Sequence, residues 1–355
     1  MTTHPLPQRA LNEIASIWEV DEDQVLWAEN GFDWTPASHC VRVRVFEDQR
    51  DISGSERFRI SISTDLLKSA PVEDQKFVDW VSTWSHFLSS TYSLVYPPAE
   101  VWREYFNGKP ASMSMFSSVY VDQNLSGWLP RLFAQMAIMQ PIDAEIRAEK
   151  FPELGGSGSP AFADGSKKMI YDEILDVAEA IYVPVGRMQS KWVGTSEFET
   201  FAKQNAQSDS CFGFGDPTGM TLEAPFGTDS ALIRFRTDES HPQLGSGLLV
   251  TTEIRAWDTI DDNVSEAAFL NYLESIAWTD FPQLGCWHIK LTGENKGRLA
   301  HSCFVPNALY RPGLVANFAL WSIARVRWVR RERFPDMIDR TMAEILNARY
   351  QLRPL

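Results

Sequence analysis

Residues 147–154 read RAEKFPEL and residues 330–337 read RRERFPDM, four identities and three conservative exchanges in eight positions. Such a match calls for comparing the chain with itself before any element is read. Working upstream, SGWLPRLFAQMAIM (126–139) faces PGLVANFALWSIAR (312–325), and SSVYVDQNL (117–125) faces HSCFVPNAL (301–309). FVDWVSTWSHFL (77–88) faces FLNYLESIAWTD (269–280), GSERFRISIST (54–64) faces GSGLLVTTEIR (245–255), and VRVRVF (41–46) faces LIRFRT (232–237). The offset drifts only from about 191 to 183 and the order never changes, the pattern of a duplicated unit with small loop changes.

Both copies carry the same alternation of periods. Val41, Val43 and Val45 alternate with arginines, and Phe58, Ile60 and Ile62 with Arg59 and Ser61, the period of half-buried antiparallel strands. Phe77, Trp80, Val81, Trp84 and Leu88 recur at helical spacing, as do Phe269, Tyr272, Leu273 and Ile276. Asn263 with Glu266 has the spacing of a capping box opening the second of these helices. A hairpin follows in each copy: VWREYF, NGK and SMSMFSSVYV in the first, CWHIKL, TGENKG and RLAHSCFV in the second. A closing helix then runs up to the Phe-Pro pair, and opening helices are expected around Pro7–Glu19 and Ser196–Gln207.

The expected architecture is therefore α+β: two modules of helix, strands, helix, strands and helix, each with an antiparallel sheet packed by helices. Copy one covers residues 1–154 and copy two 196–355; between them GGSGSPAFADGS (155–166) has linker composition, and Met169–Tyr182 reads as a bridging helix within 155–195.

This order of elements, with the module size and acidity, resembles the small type III secretion chaperone and YbjN-like superfamily. The resemblance covers two stretches of about 130 residues and rests on element order, not on a diagnostic motif. It implies a non-enzymatic protein that holds a partner polypeptide in extended form, with the two copies standing in for a homodimer. The chain departs from that pattern in its length, its bridging helix and its tail.

Composition agrees with a globular binding protein. Of 355 residues, 44% are hydrophobic and 23% charged, against disordered or fibrous classes. Forty-seven acidic against 33 basic residues give a net charge of -14, which disfavours nucleic-acid or anionic-membrane binding over the whole surface. The N-terminus lacks a signal-peptide pattern and no apolar run has membrane-spanning length. Four scattered cysteines suit reduced core thiols. The expected location is cytoplasmic, with no cofactor.

Three features bear on function. Cys286-Trp287-His288 and His301-Ser302-Cys303 are zinc-type pairs on successive strands of one hairpin, the basis of an alternative as a metal protein or enzyme. Their convergence depends on register. A two-residue turn at Glu294-Asn295 would bring all four together, whereas a three-residue Asn295-Lys296-Gly297 loop with a left-handed glycine turns Cys286 and His288 away; the hydrophobic pattern favours the second, and no metal site is assigned. The glycines of CFGFGDPTGM (211–220) read as a turn, since no lysine is placed for phosphates.

The segment ARVRWVRRERF (324–334) carries the one basic surface. Residues 311–355 hold nine basic and four acidic residues, whereas residues 1–156 hold 13 basic and 22 acidic. Docking of this helix on the acidic first module or on an acidic partner is the favoured reading, with nucleic-acid contact through Arg327 and Arg331 as a third function. Tryptophan and arginine dominate interface hot spots. The expected partner-binding residues are thus Trp34, Trp321, Arg327, Trp328, Arg330 and Arg331, Trp34 because ENGFDWTPASH (29–39) reads as a polar stretch that exposes it.

Overall fold

The computed structural model describes residues 5–16, 20–36, 39–47, 57–88, 91–106, 109–121, 129–148, 189–205, 212–226, 229–241, 244–255, 259–277, 279, 281–291 and 295–333. The expected linker at 155–166 and the bridging helix at Met169–Tyr182 lie outside these residues.

The architecture is α+β. In the first half, α1 (Pro5–Ala15) precedes β1 (Val25–Ala28), β2 (Gly31–Trp34), β3 (Val41–Glu47) and β4 (Phe58–Leu67). Then come α2 (Gln75–Leu88), β5 (Ser93–Val95), α3 (Ala99–Tyr105), β6 (Met113–Val121) and α4 (Leu129–Ala148). The second half runs α5 (Glu197–Asn205), β7 (Phe212–Asp216), β8 (Gly219–Phe226), β9 (Asp229–Arg236), β10 (Ser240–His241) and β11 (Gly245–Ile254), followed by α6 (Ile260–Ile276), β12 (Cys286–Ile289), β13 (Leu299–Pro306) and α7 (Leu314–Arg333).

The sheets have one plan. The first orders its strands β1-β2-β3-β4-β6-β5 and the second β7-β8-β9-β11-β13-β12 in reverse listing, with β10 paired beside β11. Every pairing is antiparallel. The alternating strands pair as their periodicity requires: Val43 faces Ile62 and Val45 faces Ile60 across β3 and β4, and all four are buried. With a side-chain period of two, a one-residue slip would turn this apolar set into water.

Two local expectations are corrected. VWREYF is not a strand: α3 takes up Ala99–Tyr105, and the partner of β6 is β5 at Ser93–Val95. Pro97 and Pro98 preset the chain for a helix start, and Trp102 N–H closes the first turn onto Pro98 O at 2.8 Å. By position in the sheet, Ser93–Val95 is thus the counterpart of Cys286–Ile289. The cap of α6 is Thr259, whose Oγ1 accepts from Asp262 N at 3.1 Å; Asn263 sits inside the helix and donates through Nδ2 to Thr259 O and Gly297 O.

The halves meet at their inner edges, where each lends a helix to the other. Helix α2 lies against β12 of the second sheet, and α6 lies against β5 of the first. Ala268 of α6 joins the buried cluster of Leu66, Phe77, Tyr92 and Met113. The backbones also bond: Ser118 N–H donates to Gln283 O at 3.1 Å and Gln283 N–H to Ser118 O at 2.9 Å. Arg59, buried on β4, donates to the carbonyls of Ser275 at 2.8 Å and Ala277 at 3.1 Å. These oxygens end α6, where a cation also meets the negative end of the helix dipole.

Candidate partner-binding edge

The inner edges are thus occupied by the other half, leaving β1 and β7 at the outer ends of the sheets. Strand β1 arises from VLWA, the turn Glu29-Asn30, and GFDW: two β-prone runs joined by two residues. The register pairs Ala28 with Gly31, Leu26 with Asp33 and Trp27 with Phe32. Thr35 N–H donates to Gln24 O at 2.9 Å, so the inward-bonded residues of β1 are the even-numbered ones. The backbone N–H and C=O of Trp27 therefore point out of the sheet.

The side chains of this edge are apolar and solvent-facing. Leu26 is 72% exposed on the outer face and Trp27 is 46% exposed on the core face, its ring edge-on to Phe32 at 5.7 Å. Unpaired edges are usually blunted by charge, proline or a covering element; β1 itself has none of the three among the described residues. Carboxylates stand just beyond its ends instead, with Asp21, Glu22, Asp23 and Glu29 all exposed and no basic residue between them.

The opposite end of the molecule is built differently. On β7 the core-facing positions are Gly213 and Gly215, paired with Leu222 and Met220. Their small size lets α5 come close: a Cβ at Gly215 would stand 2.7 Å from Phe198 O. Where β7 has these glycines, β1 has Val25 and Trp27, paired with the buried Trp34 and Phe32. Helix α1 accordingly packs on α4 and β3. Sequence reasoning missed Leu26 and Trp27, although the two-residue spacer Glu29-Asn30 between β-prone runs was the signal for them.

The residues expected at an interface divide. Trp34 and Trp328 are corrected to core: Trp34 is fully buried on β2, and Trp328 packs edge-on against Phe281 at 5.8 Å. Trp321 is half-buried and edge-on to Phe318 at 5.1 Å, Arg327 and Arg330 are half-buried, and Arg331 is exposed beside Glu332 at 2.8 Å. For Arg325 and Arg333 the expected docking on the first module is also corrected. Arg325 bonds Glu274 at 3.0 Å and Arg333 bonds Glu266 through two contacts of 2.7 and 2.9 Å. Both acids belong to α6, so these arginines dock within the second half.

The Cys-His hairpin closes through a longer loop than the three residues expected, with Lys290 N–H donating to Arg298 O at 3.0 Å, but the faces fall as that reading had them. Trp287 pairs with His301 and Cys286 with Ser302, and Gly297 has φ +88°. Strand alternation puts Cys286 and His288 on one face and His301 and Cys303 on the other, so the four do not converge. Ile289 O can only accept, so His288 Nδ1 donates to it across 3.0 Å, and Nε2 lies 2.8 Å from Ser302 Oγ. This Ser-His pair is buried. Burial pushes the Cys303 thiol up to about 12 and raises the Cys286 thiol, opposite to what a thiolate ligand or nucleophile needs. The cavity beside His301 and Cys303 measures about 10 Å³, too small for a substrate.

A larger cleft of about 490 Å³ opens where α2 and α3 face α6, lined by Tyr96, Glu100, Arg103, Glu266 and Arg333 among others. Its arginines are already engaged, Arg103 by Glu73 and Arg333 by Glu266. Of the two outer strands, β1 carries two exposed apolar side chains, Leu26 and Trp27, whereas β7 carries Phe214, 63% exposed, with Gly215 closely approached by α5. Comparison with family models, with curated proteins and with solved structures returns no match for this chain.

Proposed function

We propose that the chain is a non-enzymatic adaptor or chaperone-like protein that takes up one extended segment of a partner polypeptide as an added strand on β1. The observation that carries this reading is Trp27, whose backbone N–H and C=O point out of the sheet beside its own exposed ring and the exposed side chain of Leu26. Strand addition obtains affinity from such main-chain groups and selectivity from alternate side chains. The reading fits the function implied by the chaperone resemblance, and a cytoplasmic location is proposed with it. Among the described residues no helix is long and apolar enough to cross a membrane.

The test is selection of a displayed random dodecapeptide library on the full-length protein, with rebinding to two variants. Trp27→Ala removes the ring, and Trp27→Pro also removes the outward N–H while sparing the inward ladder. Recovered peptides should be β-prone, weaken on Trp27→Ala and cease binding on Trp27→Pro. Peptides that bind Trp27→Pro as well as wild type would defeat the reading.

A further inference from the structure

We infer that the segment taken up by β1 is cationic at both ends: a short apolar, alternating core bracketed by lysines or arginines. This rests on the strand-addition reading and adds the chemistry of the partner. The run Asp21-Glu22-Asp23-Gln24-Val25-Leu26-Trp27-Ala28-Glu29 has four exposed carboxylates and no basic residue, with its apolar side chains confined to the middle. The nearby Asp33 is already engaged by Arg44 at 2.5 Å, so the field beyond the strand ends comes from the exposed four. A strand rises roughly 3.3 Å per residue. The span from Asp23 to Glu29 therefore places the brackets within about 20 Å, and the apolar core between them is four to six residues long.

The opposite arrangement elsewhere in the chain shows why charge selects here. On β9, Arg236 sits between the carboxylates of Asp238 and Glu239 at 3.1 and 2.6 Å, so charge at that strand is matched from within. At β1 the acids cluster without an intervening cation, and such a field steers association and rejects like-charged segments. The arrangement also disfavours pairing of β1 with β1 of a second copy, because each strand would bring its own acidic flanks to the other.

The experiment uses three synthetic fluorescent peptides with the same alternating valine-threonine core: one flanked by two lysines at each end, one by glutamines, one by glutamates. Binding to the full-length protein is followed by fluorescence anisotropy at about 0.1 M and about 1 M salt, where the Debye length falls from about 10 to about 3 Å. The lysine peptide should bind roughly tenfold tighter than the glutamine peptide at low salt, the glutamate peptide more weakly than either, and the spread should collapse at high salt. In the double variant Asp23→Lys with Glu29→Lys, two exposed changes that take the run from four net negative charges to none, the spread should collapse at low salt as well. Equal binding of all three peptides, still lost on Trp27→Pro, would overturn the cationic partner while sparing strand addition. Binding of none of the three, or binding that survives Trp27→Pro, would overturn both.

Discussion

Replacing Arg59 by leucine should loosen the junction between the halves. The wild-type guanidinium makes two hydrogen bonds from β4 to the last carbonyls of α6, at 2.8 and 3.1 Å, and its charge lies over the Phe116 ring at 5.6 Å. Hydrogen bonds to charged groups contribute about 1.5–3 kcal/mol each. Ser275 and Ala277 are only half-buried, so water recovers part of the loss, and leucine refills part of the space. The expected net cost is about 2–4 kcal/mol. With an m-value of about 3 kcal/mol/M, the urea midpoint followed by tryptophan fluorescence should fall by about 1 M. Arg59→Lys should lie between, because an ammonium lacks the fork that spans two carbonyls. A midpoint for Arg59→Leu within about 0.2 M of wild type would refute the reasoning.

Three further outcomes follow from buried groups. Arg325→Met should cost about 3–5 kcal/mol, because it strands the buried Glu274 carboxylate that Arg325 and Trp287 Nε1 now bond at 3.0 and 2.7 Å; adding Glu274→Met should restore most of it in a double-mutant cycle. Burial, then the charges of Arg325 and His288, hold the His301 pKa well below its usual value. The unfolded chain thus binds the extra proton below about pH 6.5, so this contribution is full above that pH and falls by up to about 1.4 kcal/mol per unit below it. Urea titrations between about pH 5.5 and 7.5 should show that slope reduced in His301→Gln, and parallel profiles would count against it. Finally, Cys303 should resist iodoacetamide in the folded protein and label at the rate of unfolding, as read by peptide mass mapping.

Much of the fold was legible because burial on one face writes its period into the chain. The alternation at Val41–Val45 and Phe58–Ile62 specified two central strands, and the order of elements gave the α+β class with two sheets. Gly297 was legible as the left-handed residue of the hairpin loop, since that conformation is where glycine differs most from the rest, but the loop is longer than the three residues read from it. Other features depended on partners distant in sequence. VWREYF has the composition of a strand, yet the edge of β6 goes to Ser93–Val95 and the proline pair starts a helix instead. Trp34 sits amid polar neighbours, yet it is the inward member of an alternating strand and lies under the core. The docking of Arg325 and Arg333 was assigned to the first module because the acids that engage them stand 51 and 67 residues away on α6. The candidate edge was the least visible, because exposure of Leu26 and Trp27 follows from where α1 packs, on α4 and β3, not from their own sequence.

The reciprocal loan of helices across the inner edges changes what the connecting segment does. With Ser118 and Gln283 bonded backbone to backbone, Arg59 capping α6 and Ala268 seated in the first half's core, the halves are held by their surfaces once folded. Covalent continuity then acts through effective concentration, keeping the two halves near each other independently of how dilute the chain is. It matters most while the chain is finding its fold, when another copy's half could otherwise be taken in exchange.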